Sequence, residues 1–123
     1  MDTVQSASGL MAFTQAYVVA MLWSSTDDNG DPLDQVADVE DLAPETIERI
    51  NQDCAAFLAQ NGEAINGKYE QAGHDFWLTR NRHGAGFWDG DWPEQDGVKL
   101  TEASYTFGEC YPYQGDDKKW YLG

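Results

Sequence analysis

No lysine or arginine occurs between Met1 and Glu48, although this stretch carries Asp2, Asp27, Asp28, Asp31, Asp34, Asp38, Glu40, Asp41, Glu45 and Glu48. Arg49 is the first base. The run that opens at Asp27 reads as a long solvated acidic loop, since an unpaired buried charge is very costly. The formal charge of the whole chain is −15, well beyond the roughly 2–8 usual for a small soluble domain. A field of that sign repels nucleic acid and anionic lipid and speeds encounter with basic surfaces. The chain's 123 residues, 13% of them aromatic, fit one folded domain over 1–123 that needs no metal or disulfide staple. Residues 1–9 are small and polar and read as a flexible arm.

The apolar stretch Leu10 to Trp23 follows an acidic residue, has no basic segment before it and is too short to span a bilayer. It reads as a folded helix from Phe13 to Ser24, apolar nearly all round and so buried on most sides. Ser24 to Pro32 ends it and opens a long acidic loop. Pro44 suits a first helical position, and Glu45 and Glu48 favour the positive end of the dipole. Ile47, Ile50, Cys54, Phe57 or Leu58, and then Asn61 and Ile65 recur at three- and four-residue steps, with a break or kink at Asn61-Gly62 and one more turn from Lys68 to Gly73.

Beyond His74 the period shifts to two. Asp75 to Arg80 and Ala85 to Asp89 read as the strands of a hairpin turning at Asn81-Arg82-His83-Gly84. Val98 to Phe107 reads as a helix stopped by Gly108, with Leu100, Ala103 and Phe107 on one face. Cys110 to Tyr113 and Trp120 to Leu122 read as a second hairpin, turning at Gly115 to Lys118. The expected fold is α+β: helices on an antiparallel sheet of two hairpins, in the order α-α-β-β-α-β-β.

Candidate chemistry is sparse. A calcium loop starting at Asp27 fails where Pro32 occupies the position that must be glycine. His74, Asp75, His83 and Asp89 converge on the expected hairpin, and with Cys110 they define an alternative reading as a small metal- or thiol-dependent enzyme. With only two histidines and no CxxC or HxxxH spacing, the residues imply no metal and no cofactor. Cys54 and Cys110 suit two buried free thiols better than a disulfide. Arg80, Arg82 and His83 form the one concentrated basic patch, expected to pair with Asp75 or Asp89. Trp77–Trp88 and Phe76–Phe87 are expected as cross-strand contacts.

The residues His74-Asp75-Phe76-Trp77-Leu78-Thr79-Arg80-Asn81 and His83-Gly84-Ala85-Gly86-Phe87-Trp88-Asp89 resemble the signature of a family of small acidic phage and prophage proteins without assigned function. Arg82 stands where that family usually has glycine. Leu22 to Asp28 and Gly115 to Lys118 are similar to its other blocks. The resemblance implies a cytoplasmic life in an infected bacterium and no known catalytic residues.

Charge and resemblance together point to a non-enzymatic binding protein. It would present Asp27, Asp28, Asp31, Asp34, Asp38, Glu40, Asp41 and Glu45 to a basic host protein, with no direct contact to nucleic acid or membrane. An inhibitor of a restriction or CRISPR nuclease acting by DNA mimicry is the sharpest form of this expectation. A phage structural or assembly accessory role is a further alternative.

Overall fold

A computed structural model describes residues 3–27, 29–83, 85–88 and 92–123, with side chains from residue 8 onward. The described elements are α1 (Thr3–Ser24), α2 (Leu33–Val36), a 3-10 turn (Val39–Asp41), α3 (Pro44–Ile65), α4 (Tyr69–Arg80), α5 (Glu94–Tyr105), β1 (Pro112–Gln114) and β2 (Trp120–Leu122). This is a helical fold with one small hairpin, which overturns the α+β expectation of helices on two hairpins. Among the described residues no helix is long and apolar enough to cross a membrane.

The decisive difference is α4. Residues 75–80, expected as a strand, form a helix buried nearly all round: Asp75, Phe76, Trp77, Leu78, Thr79 and Arg80 are all inside. A helix wrapped on every side shows no polar face, so its sequence loses the 3.6-residue signal. Its aromatic and threonine content then mimics a strand. Packing overrides that local preference. Phe76 stacks on Phe57 with ring centroids 4.0 Å apart, and Phe13, Tyr17 and Phe107 close around it. The expected Trp77–Trp88 and Phe76–Phe87 pairs do not form. Trp77 is buried, donating from Nε1 to Ser24 Oγ (2.8 Å), while Trp88 is exposed and Phe87 stacks on Phe57. The described part of the expected return strand, residues 85–88, is turn and bend.

Elements with a clear apolar face form as the sequence indicates. Helix α3 starts with Pro44 in its first turn and buries Ile50, Cys54, Phe57 and Ile65. It kinks at Asn61 (φ −127°, ψ 18°), whose Nδ2 donates to the Phe57 carbonyl. Helix α5 buries Leu100 and begins four residues earlier than expected, with Glu94 and Asp96 in its first turn. Gly108 adopts φ +76° beyond its end, a conformation that favours glycine. The closing hairpin pairs Pro112 with Leu122 and Gln114 with Trp120. Helix α1 starts at Thr3, within the stretch expected to be a flexible arm.

Helices α1 and α4 make the most extensive contact in the molecule. One cluster of buried residues runs from Phe13 through Phe57, Phe76 and Leu100 to Trp120, joining all the long helices to the hairpin.

Candidate functional site

The acidic segment is held by a few buried anchors and keeps its carboxylates outside. Leu33, Leu42, Ala43 and Thr46 are buried. Thr26 bridges Pro32, and Leu42 bridges Trp120. Thr46 Oγ1 donates to the Trp120 carbonyl (2.7 Å). Between these anchors the chain alternates short turns and half-turns in which acids cap exposed backbone amides.

Three of the expected contact residues do local structural work. Asp27 Oδ1 accepts the amides of Asn29 (3.0 Å) and Asp31 (2.9 Å), closing the loop with a side chain. Asp38 and Asp41 cap the 3-10 turn reciprocally: Val39 N donates to Asp38 Oδ1 and Asp38 N to Asp41 Oδ2. Asp31, Asp34, Glu40 and Glu45 are exposed. Among the described residues no hydrogen bond or ion pair engages their carboxylates. Asp28 lies outside the described residues.

The arginines are directed to acids outside this segment. Arg49 and Arg80 both pair with Asp53, at 3.9 and 2.8 Å, and Arg82 reaches Glu109 at 3.9 Å. The expected pairing of the arginines with Asp75 or Asp89 is thus replaced by partners distant in sequence; Asp89 lies outside the described residues. Lys68 sits over the Trp92 ring, and Lys119 Nζ donates to the backbone carbonyl of Glu40 (3.3 Å). No described ion pair neutralises a carboxylate between Asp27 and Glu48.

For the alternative enzyme reading, the helix that replaces the hairpin keeps His74 and Asp75 together, with His74 Nδ1 3.8 Å from Asp75 Oδ1, and leaves His83 and Cys110 on segments outside it. Six residue steps along α4 lead from His74 to Arg80, a rise of about 9 Å along the axis, and His83 follows beyond the helix end. His74 lies against the exposed Trp23, with ring centroids 5.8 Å apart. Buried Asp75 accepts Trp92 Nε1 (2.8 Å). Among the described residues no group of three or more histidines, cysteines and acids is placed to hold a metal. Cys54 and Cys110 are free thiols at zero exposure. Burial raises both thiols above their ordinary ionisation, Cys54 to about 12. Only the thiolate is a nucleophile, so neither cysteine is armed at neutral pH.

A second feature, one that the sequence does not announce, lies beside the acids. Helix α1 is not buried on most sides. Tyr17, Ala20, Met21 and Leu22 face the core, but Met11, Val19 and Trp23 are open to solvent. Val39 and Ile47, from the acidic segment and the start of α3, are open next to it. The only signal was the absence of charge from α1 combined with an apolar character that its burial does not use up.

Comparison with family models, curated proteins and solved structures finds no match for the chain.

Proposed function

We propose that the protein is a non-enzymatic binding protein whose Asp27 to Glu48 segment docks on a basic surface of a partner protein that handles nucleic acid. The observation that carries this reading is the set of exposed carboxylates left without an internal cation, in a chain whose described arginines pair with other acids. Unpaired surface charge of one sign steers association and selects partners of the opposite sign. A groove built to hold phosphates is lined with lysine and arginine and suits such a segment. The sequence resemblance to small acidic phage proteins makes the bacterial cytoplasm the setting. It makes a restriction or CRISPR nuclease, blocked by carboxylates standing in for phosphates, the specific instance proposed.

The test is capture from bacterial lysate on the immobilised full chain at low and high salt, beside a variant carrying Asp31→Asn, Asp34→Asn, Glu40→Gln and Glu45→Gln. The expected result is capture of a nucleic-acid enzyme by the parent chain at low salt, lost at high salt and lost by the variant. Capture of no such enzyme, or capture that both salt and the variant leave intact, would overturn the reading.

A further inference from the structure

The acidic segment also forms one wall of an apolar groove. Helix α1 has no charged residue from Thr3 to Ser24. Met11, Gln15, Val19 and Trp23 recur at four-residue steps along its open side, where Met11, Val19 and Trp23 are 62%, 61% and 59% exposed. Of these, Gln15 and Val19 line a groove together with Val39 and Ile47, 47% and 38% exposed, whereas Met11 and Trp23 lie outside its lining. The groove encloses about 540 Å³ between Val18, Val19 and Leu22 on one side and Val39, Leu42 and Ile47 on the other. Scattered single apolar residues are ordinary on a surface, but a contiguous group rimmed by polar ones marks an interaction site.

The rim is acidic. Asp38 lines the groove, and exposed Glu40 and Glu48 follow Val39 and Ile47 directly in the chain. No lysine or arginine lines it among the described residues. Of the chain's bases near the rim, Arg49 donates to the Leu122 carbonyl and pairs with Asp53, while Lys119 Nζ donates to the backbone carbonyl of Glu40 and forms no described ion pair with its carboxylate.

We propose that this groove receives a basic amphipathic helix of the partner. Its apolar stripe would lie between α1 and the 3-10 turn, and its lysines or arginines would lie against Asp38, Glu40 and Glu48. The charge pattern selects this occupant. A second copy of the chain would bring another −15 to a surface already acidic. A flexible polycation would satisfy the rim and leave Val19, Val39 and Ile47 in water. A helix with one apolar and one basic face matches both parts, the usual logic of helix-in-groove recognition. The proposal rests on the acidic-docking reading above and narrows the chemistry of its partner.

The test is calorimetric titration of the full chain with three synthetic peptides. One is a leucine–lysine peptide with its leucines on one helical face, the second an oligolysine of equal charge, the third a leucine–glutamate peptide of the first pattern. The leucine–lysine peptide is expected to bind at least about tenfold tighter than oligolysine, and the leucine–glutamate peptide not measurably. Val19→Ser combined with Val39→Ser, both at exposed positions, should remove that tenfold advantage and leave oligolysine binding unchanged. Equal affinity for the two basic peptides, or no effect of the double variant, would overturn the groove proposal and leave the acidic-docking reading standing. Basic-peptide binding indifferent to salt would instead overturn the acidic-docking reading. A concentration-dependent dimer in sedimentation, abolished by the double variant, would assign the groove to a second copy and overturn the proposal.

Discussion

Arg80 is where a single side chain holds the most structure. It is 1% exposed and spends its donors on four partners. Nε donates to the Gly108 carbonyl, Nη2 to the Phe107 carbonyl, and Nη1 to Tyr17 Oη and Asp53 Oδ2, all at 2.8–3.1 Å. The planar fork thereby ties α1, α3, α4 and the segment after α5 together. Removing one member of a buried ionic set leaves the others desolvated and unpaired, at a cost of about 3–5 kcal/mol. Arg80→Met, which keeps bulk but no donors, should lower the unfolding free energy by that amount, read as a lower urea midpoint with an unchanged denaturant slope. A loss under about 1 kcal/mol would show that water takes over the orphaned carbonyls. The buried thiols carry a second prediction at this scale. Burial lifts Cys54 from 9.0 to about 12, against a smaller opposing pull from Thr14, and burial also raises Tyr17. The unfolded thiol therefore releases its proton first. Its stabilising contribution is intact below pH 9.0 and is lost as the pH rises toward about 12. Urea titrations should show stability falling above pH 9.0, less steeply in Cys54→Ala; an equal fall in both proteins would remove Cys54 as a cause.

Helix α4 shows what a sequence can and cannot disclose about an element. Its contact with α1 is so close at Gly73 that a Cβ there would run into the Phe13 carbonyl. Gly62 in α3 has nothing near its missing Cβ. By helix preference alone, Gly→Ala helps either helix by up to about 1 kcal/mol. Gly62→Ala should accordingly be neutral or stabilising, whereas Gly73→Ala should cost about 1–3 kcal/mol through overpacking. Thermal unfolding of the two variants reads the opposite signs directly; a stabilising Gly73→Ala would mean that the α1–α4 crossing is loose. The same crossing explains which elements were legible. Helix α3 advertises itself because Ile50, Cys54 and Phe57 face the core while Glu48, Gln52 and Gln60 face water. Helix α4 has no such contrast, since Asp75, Thr79, Arg80 and the adjoining Asn81 are buried along with Phe76. Each has a polar partner: Trp92 Nε1 for Asp75, the Phe87 amide for Thr79, and the Trp77 carbonyl and the Cys110 amide for Asn81. Polar residues satisfied inside a core erase the pattern by which a helix is recognised. The closing hairpin was legible from Trp120-Tyr121-Leu122 and the turn at Gly115 to Lys118. Of the candidate site, the acids were plain from composition. The apolar groove was not, because a charge-free helix reads as buried until its neighbours fail to cover Met11, Val19 and Trp23.

At the scale of the whole molecule the acids act against the fold that carries them. A formal charge of −15 on 123 residues means that folding brings like charges together, and such self-repulsion destabilises a compact state. The described ion pairs do not relieve it between Asp27 and Glu48, because Asp53 takes Arg49 and Arg80 while Glu109 takes Arg82. Screening by salt weakens repulsion between exposed charges more than a Debye length apart, about 10 Å at 0.1 M. The thermal midpoint should therefore rise as sodium chloride goes from about 10 mM to about 200 mM. The variant with Asp31→Asn, Asp34→Asn, Glu40→Gln and Glu45→Gln should start higher at low salt and gain less from its addition. Among the described residues none of these four side chains bonds a backbone amide, so the substitutions remove charge and little else. Asp27, Asp38 and Asp41 would not serve, since each holds a backbone amide whose loss would offset the relief. A variant less stable than the parent at low salt would show that these acids support the fold, through contacts to the hairpin lysines for instance, and would weaken the case that they await a partner. A more stable variant that no longer captures the partner would separate the two roles: carboxylates that cost stability in the free protein and are compensated only when a basic surface meets them.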